Sequence, residues 1–442
     1  MSSWKQVRFS EICDITRGGS PRPIQEYMTN DGVPWIKISD ATASNSRFIE
    51  KTKEFIKTSG ISKSREVFPD DLILSNSATP GIPKFMRIYA CIHDGWLLLR
   101  NFNGAEKEFI YWLLLNERDK LIQQGNGSVF TNLKTDILKN HIVNIPDDIE
   151  EQKRIATILN NIQEKIELNT QINQTLEQIA QTIFKSWFID FDPVHAKANA
   201  LASGQTAEQA TQAAMAVISG KNTQELHRLQ TANPEQYQQL WEIAEAFPSG
   251  FDEEGVPRGW EERELSYLFE FLSGAQPPKS EHIYEEKEGY ERFIQNRDYS
   301  NDNHKTYIPI SKKNKRCTEK DILMDKYGEA GKVRYGIKGA YNVALAKIVP
   351  QKDNLREFLR SYFTQDKIRN YLSSSSMAST RNSLNSTTFT RMKVIVPNDF
   401  LLSTFDKLAN EKIDKILQIK QENIELSKLR DYLLPKLLSG EV

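Results

Sequence analysis

Between positions 149 and 188 the chain reads IEEQKRIATILNNIQEKIELNTQINQTLEQIAQTIFKSWF. Apolar residues recur at Ile155, Ile158, Ile162, Ile166, Ile172, Leu176, Ile179, Ile183 and Trp187. The steps are mostly three and four, the spacing that lines one face of a helix. No Pro or Gly interrupts the run. Pro146, Asp147, Asp148, Glu150 and Glu151 mark its start, because acidic groups complement the free N–H groups of a first turn. The pattern predicts a helix over 149–188, roughly 55–60 Å long at ~1.5 Å per residue. Its narrow apolar stripe predicts coiled-coil pairing.

A second run of this kind, FDKLANEKIDKILQIKQENIELSKLRDYLLPKLLSG, occupies 405–440. It falls beneath the first at an offset of about 250 residues, the mark of a large internal repeat. Phe405 lies under Ile155, Leu408 under Ile158, Ile416 under Ile166, Leu426 under Leu176, Leu429 under Ile179 and Leu433 under Ile183. Asn423 lies under Asn173, and an Asn on an apolar seam fixes register at a cost in stability. The two helices are therefore expected to pair, through Ile155, Ile162, Ile166, Asn173, Leu176 and Ile183 on one and Leu408, Ile416, Asn423, Leu426 and Leu433 on the other.

A mixed segment precedes each long helix. Over 1–148, strand-like runs at 33–38, 71–75, 88–92 and 141–145 alternate with turn clusters, and a helical run covers 107–123. Residues 259–398 repeat this plan. Trp4 matches Trp260, Gly18 and Pro21 match Gly274 and Pro277, and Ile36 and Asp40 match Ile294 and Asp298. DLILS at 71–75 matches DILMD at 321–325, and Phe109 matches Phe358. Gly81, Lys84 and Tyr89 match Gly331, Arg334 and Gly339. The stretches 127–146 and 378–397 also correspond, closing on Pro146 and Pro397. This is a tandem duplication. The expected fold is α+β: α/β units at 1–148 and 259–398, long helices at 149–188 and 399–442, and a helical connector at 189–258. The connector carries helix-like pieces at 207–219 and 223–246. A pseudo-two-fold relation between the repeats would make the long helices antiparallel, with one unit near each end.

Composition narrows the class. A chain of 442 residues holds about three units of ~150 residues. The formal net charge is only −1, so charge has to be read by segment. The connector is acidic, the second unit is positive and contains KKNKR at 312–316, and the first is close to neutral. Cys13, Cys91 and Cys317 lie far apart, which implies neither a disulfide framework nor metal-ligand spacing and predicts a reducing cytoplasm. No apolar run reaches ~18 residues, and no charged-then-apolar start marks a signal peptide, so no membrane association is expected.

Catalytic motifs are missing from the sequence. There is no G-x-x-x-x-G-K-[ST] and no H-E-x-x-H, and Gly125-Asn126-Gly127 lacks the third glycine of a dinucleotide fingerprint. Pro146-Asp147 followed by Glu151-Gln152-Lys153 has the letters of a metal-dependent nuclease. Its carboxylates, however, crowd the start of one helix, where they cap it, instead of converging on a metal. The scattered histidines, among them His93 and His304, are given no catalytic role. No catalytic or metal site is expected.

Polar loops recur instead. In the first unit they are 16–23 (TRGGSPRP), 37–47 (KISDATASNSR), 76–87 (NSATPGIPKFMR) and 126–134 (NGSVFTNLK). In the second they are 273–280 (SGAQPPKS), 295–303 (QNRDYSNDN), 326–334 (KYGEAGKVR) and 373–385 (SSSSMASTRNSLN). Arg and Lys neutralise phosphates, and Arg, Asn and Gln pair with guanine and adenine edges in the major groove. Any single loop of this kind is as well explained as solvated surface. The recurrence of polar loops at corresponding places, with different residues, carries the reading. Arg22, Lys84, Arg87, Arg297, Lys332 and Arg334 are candidates for phosphate or guanine, and Asn76, Asn126, Asn132, Asn296 and Asn382 for base edges. Ser128, Thr131, Ser379, Thr380 and Arg381 are candidates for backbone positioning, and Arg17, Lys37 and Lys279 complete the set. Two readers on one rigid spacer would meet the DNA groove about one turn, ~34 Å, apart and read a split sequence.

Nearly the whole chain resembles the specificity (S) subunit of type I restriction–modification systems. The resemblance rests on the repeat itself and on NIPDDIEEQKRIATIL at 144–159, SWFIDFDPVHAKA at 186–198, FPSGFDEEGVPRGW at 247–260 and LRDYLLPKLLSGEV at 429–442. The second long helix departs from the pattern, since VPNDFLLSTFDKLANEK at 396–412 lacks the EQ-containing start of the first. The resemblance implies two target-recognition domains, each reading half of a bipartite site in double-stranded DNA. It also implies helices that act as spacer and as docking surface for two modification (methyltransferase) subunits, with restriction subunits completing the enzyme. It implies a non-catalytic chain without cofactors, since S-adenosylmethionine, ATP and magnesium would belong to the partner subunits. A reading from another class is a coiled-coil scaffold that joins two proteins without touching DNA, which the near-neutral charge favours.

Overall fold

The computed structural model describes residues 3–42, 46–124, 132–300, 304–377 and 383–441. The chain divides into two compact units, Met1–Gln171 with Lys420–Val442, and Ile172–Ile419. The cut passes through both long helices.

In the first unit the strand Trp4–Arg8 pairs antiparallel with Ile142–Pro146 and ties the N-terminus to the approach of the first long helix. One sheet runs in the order Asp14–Arg17, Trp96–Arg100, Leu72–Ser75, Pro83–Met86 and Phe48–Ile49. A second runs Met28–Thr29, Phe55–Ile56, Val33–Ile36, Ala90–Ile92 and Arg65–Val67, with Ala90–Ile92 parallel to Val33–Ile36. Phe9, Phe85, Phe109 and Trp112 fill a core with Ile155 and Leu159 of the first long helix and Leu437 and Leu438 of the second.

The second unit repeats the plan. Glu261–Glu264 pairs antiparallel with Lys393–Val396. One sheet runs Phe269–Ser273, Leu345–Pro350, Ile322–Asp325 and Val333–Arg334. The other runs Tyr307–Pro309, Tyr290–Ile294, Gly339–Tyr341 and Arg316–Cys317, with Tyr290–Ile294 parallel to Gly339–Tyr341. Ile36 and Ile294, Leu72–Ser75 and Ile322–Asp325, and Lys84 and Arg334 hold the same places in the two units' sheets; Tyr89 and Gly339 do not, since Gly339 pairs with Cys317 where Ala90 pairs with Val67.

Several elements stop earlier than their pattern predicts. The strand expected over 33–38 ends at Ile36, because the Asp40 carboxylate accepts the Lys37 backbone N–H at 2.8 Å and starts the short helix Ile38–Thr42. Asp298 does the same to the Gln295 N–H at 3.0 Å. The helix expected over 107–123 is two helices, Lys107–Asn116 and Arg118–Gln124, split at Glu117, whose carboxylate holds His141 at 3.0 Å and Lys120 at 2.9 Å. The piece at 223–246 breaks between Thr223–Ala232 and Pro234–Ala246, where Asn233 caps the helix that Pro234 opens.

The connector is not a solvated link. Val194 and Phe247 lie in the second unit's core with Phe184, Trp187, Phe188 and Trp260. Lys197 is buried, and its ammonium donates to the carbonyls of Ala244 (3.2 Å), Glu245 (3.1 Å) and Phe247 (2.6 Å), closing the C-terminus of Pro234–Ala246.

The first long helix spans Ile149–Phe188, as its periodicity predicts, and the second spans Asp399–Ser439 with Pro435 inside its last turns. Asp148 accepts the Glu150 N–H at 3.0 Å and Asn398 the Leu401 N–H at 2.9 Å, so each start is capped. Gln152, the Gln of the EQ start, is fully buried and bonds Glu106 and Pro146, stitching the helix to its unit. Within the first unit the helices run antiparallel, with Gln163 opposite Arg430 (2.6 Å) and Asn169 opposite Asn423 (2.9 Å). Within the second, Phe184 meets Phe405 at 5.7 Å between ring centroids.

This order corrects the seam. Asn423 faces Asn169, because a repeat offset superposes the halves, whereas residues that touch across an antiparallel pair run in opposite directions. Asn423 also donates to the Ile166 carbonyl at 3.3 Å. In the first unit Ile155 is buried, Ile162, Ile166 and Leu426 are half-buried, and Leu433 packs on the core. In the second, Ile416 and Asn173 are buried, Leu176 is half-buried, and Ile183 and Leu408 pack on the core. Ile179 and Leu429, paired by the offset, are both exposed.

Candidate nucleic-acid interface

In the first unit the strands Ala90–Ile92 and Trp96–Arg100 are joined by a turn, His93-Asp94-Gly95, onto which three other loops are fastened. Gly18 donates its N–H to the Trp96 carbonyl at 2.9 Å and Gly19 to that of Ile92 at 3.1 Å. A Cβ on Gly18 would stand 2.1 Å from the His93 carbonyl oxygen, so only glycine lets the chain pass there. Asn76 donates its backbone N–H to Gly95 at 2.8 Å and accepts from Leu133 at 2.8 Å, which brings in the segment at 132–134.

The second unit repeats this mesh bond for bond. Gly274 donates to the Leu345 carbonyl at 3.0 Å, and its Cβ would stand 2.0 Å from the Asn342 oxygen. Lys326 donates its backbone N–H to Ala344 at 2.8 Å and accepts from Leu384 at 3.2 Å. Each unit thus gathers corresponding loops around one turn.

The side chains at the two tips differ. On the first, Arg17 and Arg22 are exposed, with side chains 61% and 80% accessible. The Arg17 Nε–H donates to the Asp94 carbonyl at 2.9 Å, and its Nη2 lies 3.9 Å from the carboxylate. Arg22 Nη2 is 3.4 Å from the same carboxylate, and the Ser20 hydroxyl donates to it at 2.7 Å. Burial alone would raise the Asp94 pKa, but Ser20, His93 and Arg17 outweigh it and hold the group below the usual carboxylate range. On the second tip, Lys326 donates to the Ser273 hydroxyl at 2.9 Å, and Tyr327 and Val343 are exposed.

The expected residues fall into groups. Arg17, Arg22, Lys37 and Asn132 are brought to the first tip or beside it. The His93 N–H meets the Ile36 carbonyl at 3.4 Å, and Lys37, half-exposed, pairs with Glu54. Arg87 is exposed but lies elsewhere, over the Phe48 ring at 3.7 Å. On the second unit Lys279 and Arg297 are exposed and Asn296 is half-buried. Lys332 pairs with Glu329 at 2.8 Å. Asn126, Ser128, Thr131, Ser379, Thr380, Arg381 and Asn382 lie outside the described residues.

Three candidates are corrected to the interior of the fold. Asn76 is 5% exposed, and its side chain donates to the Asp94 carbonyl at 3.2 Å. Lys84, also 5% exposed, donates to the Ser46 carbonyl, and burial lowers its pKa to about 8. Its counterpart Arg334 is 8% exposed and bonded to Asp325 at 2.8 Å and Glu329 at 2.9 Å. The sequence places a basic residue there in both halves because the fold holds one there.

The tips also carry Asp94 and the exposed cations Lys63 and Arg65 on the first unit, and Val343 and Tyr327 on the second, none of which is among the expected residues. Cations and amides match phosphates and base edges by charge and donor type, which a lone carboxylate does not. The turn residues His93-Asp94-Gly95 between two apolar runs were the available sign. His93 itself packs on Trp35 with ring centroids 5.7 Å apart. Among the described residues no group of His, Cys, Asp and Glu is arranged to hold a metal. Cys13, Cys91 and Cys317 are buried free thiols, pushed up to about 12, 11 and 12 by burial.

The family described as type I restriction modification DNA specificity domain matches the chain twice, over residues 1–178 and 257–430. The specificity subunit of the type I restriction enzyme HindI of Haemophilus influenzae is 33% identical, with 100% of each chain aligned. That of the MjaIX enzyme of Methanocaldococcus jannaschii is 26% identical over 99% of this chain and 93% of its own. The crystal structure of the type I restriction–modification S subunit of M. genitalium has a like fold, with a TM-score of 0.53 at 15% identity over 99% of this chain and 96% of that one. With the duplicated fold, the duplicated loop mesh and these relatives in hand, the chain belongs to the type I restriction–modification DNA specificity family.

Proposed function

We propose that each unit reads one half of a bipartite site in double-stranded DNA and that the long helices set the unread gap between the halves. The observation that carries this is the tip: an identical backbone mesh holds Arg17, Arg22 and Asp94 in one unit and Ser273, Lys326, Tyr327 and Val343 in the other. A scaffold duplicated for symmetry alone gives no reason for one mesh to carry a guanidinium and a carboxylate in one unit and neither at the corresponding places in the other. Phosphate contacts are assigned to exposed cations near the tips, among them Lys63 on the first unit and Lys279 on the second. The scaffold reading is set aside, since the matching family is one of DNA specificity domains.

The chain itself is proposed to be non-catalytic and to work in the cytoplasm, where its DNA is. No helix among the described residues is long and apolar enough to cross a membrane. Two modification subunits dock on the long helices and restriction subunits complete the enzyme; S-adenosylmethionine, ATP and magnesium belong to those partners.

The test is methylation mapping. The chain is expressed with its modification subunit and the methyl groups on bulk DNA are located. The expected result is a two-part motif with a fixed unread gap, of which exchanging residues 259–398 for those of a relative alters one half only. A contiguous motif, or one indifferent to the exchange, would overturn the reading.

A further inference from the structure

The first tip carries a feature that phosphate binding does not explain. A cation meant for phosphate is best left without a carboxylate beside it, because that carboxylate repels the incoming oxygens. Yet Asp94 lies 3.9 Å from Arg17 and 3.4 Å from Arg22, and its side chain is 38% exposed. The same charge suits a base edge. The guanine of a G·C pair offers the acceptors N7 and O6 to an arginine fork, and the facing cytosine amino group tolerates a carboxylate.

Arg17 is built for the fork. It is the last residue of a strand and pairs in register with Leu97, so its backbone is fixed. Its Nε–H is spent on the Asp94 carbonyl at 2.9 Å, which sets the direction of the guanidinium plane, and the side chain remains 61% exposed. Asp94 is fixed in turn by Ser20 at 2.7 Å and by Asn76, whose amide holds the Asp94 carbonyl at 3.2 Å. The corresponding residues of the second unit are Ser273 and Val343, with neither a guanidinium nor a carboxylate.

Resting on the reading above, we infer that Arg17 determines a G·C base pair in the half-site read by the first unit, and that Asp94 is the positioning residue that holds it for that contact. The second unit lacks this pair and reads its half by other means.

Methylation mapping of the assembled complex on a library of random sites tests this with Arg17→Lys, Arg17→Ala and Asp94→Asn. Arg17 is largely exposed, so its variants assemble, and the half read by the second unit reports assembly in every case. In Arg17→Lys, which keeps the charge but loses the fork, one G·C position is expected to become degenerate, with discrimination falling about 10- to 100-fold. Asp94→Asn is expected to relax the same position by a smaller factor and leave the salt dependence of binding unchanged. If Arg17→Lys keeps the motif while Arg17→Ala weakens all sequences alike, Arg17 is a phosphate contact and the inference falls. It falls too if a normal wild-type motif survives intact in both Arg17→Lys and Asp94→Asn. A wild-type complex without a two-part motif removes the underlying reading as well.

Discussion

Charge in a sequence carries no sign of burial, and Lys84 shows the consequence. As a loop cation beside Gly81 it looks like a phosphate ligand. In the fold it is enclosed, and burial draws its pKa from 10.5 to about 8 against a smaller opposing pull from Glu167. Between those values the unfolded chain binds more protons than the folded one, so the stability attached to this group rises with pH through that window. The cost of burying the charge is fully present below about pH 8. Replacing Lys84 with Met is expected to remove this rise. In melts from about pH 7 to about pH 10, the variant's stability relative to wild type should fall as pH increases. A difference that stays constant with pH would assign the titration elsewhere. Gly18 and Gly274, by contrast, were legible as a matched pair, because the approach of a carbonyl to about 2 Å of an absent Cβ permits one residue type in both halves.

At the scale of elements, legibility followed length. The first helix was readable to its ends because an unbroken period over 40 residues leaves no competing structure. Short strands were readable in place but not in extent, since one carboxylate such as Asp40 or Asp298 decides where a strand turns into a helix. Helix pairing was readable as a fact and not as a register. The first unit's seam is anchored by Asn169, 1% exposed, which donates to Glu422 at 3.0 Å and Asn423 at 2.9 Å. Asn169→Ala strips both acceptors of a donor and is expected to cost about 1–2 kcal/mol, read as a shift in the denaturant midpoint of the first unit. An unchanged midpoint would mean that water replaces the amide at no cost and that the seam does not depend on it. The tips were the least legible part. Their framework is a set of backbone bonds that marks the sequence only at Gly18 and Gly274, and their chemistry lies in a few exposed residues.

For the molecule as a whole, the division of the chain has a consequence for how it is made. The second unit is one continuous stretch, Ile172–Ile419, whereas the first is interrupted by it and needs Lys420–Val442 to close. Leu437 and Leu438 are buried in the first unit's core, and a Cβ on Gly440 would stand 2.8 Å from the Trp4 indole nitrogen. A chain emerging from the ribosome therefore has all of its second unit before its first can be finished, the reverse of the usual N-terminal-first order. Ending the chain at residue 419 is expected to leave the second unit protected in hydrogen exchange. The first should open, because each lost core leucine costs ~2–5 kcal/mol. Equal protection of both would show that the tail is dispensable. If it is not, residues 420–442 act as a closing stamp: a message cut short before them yields a protein with at most one finished reader, so a broken transcript cannot make a subunit that reads its whole address.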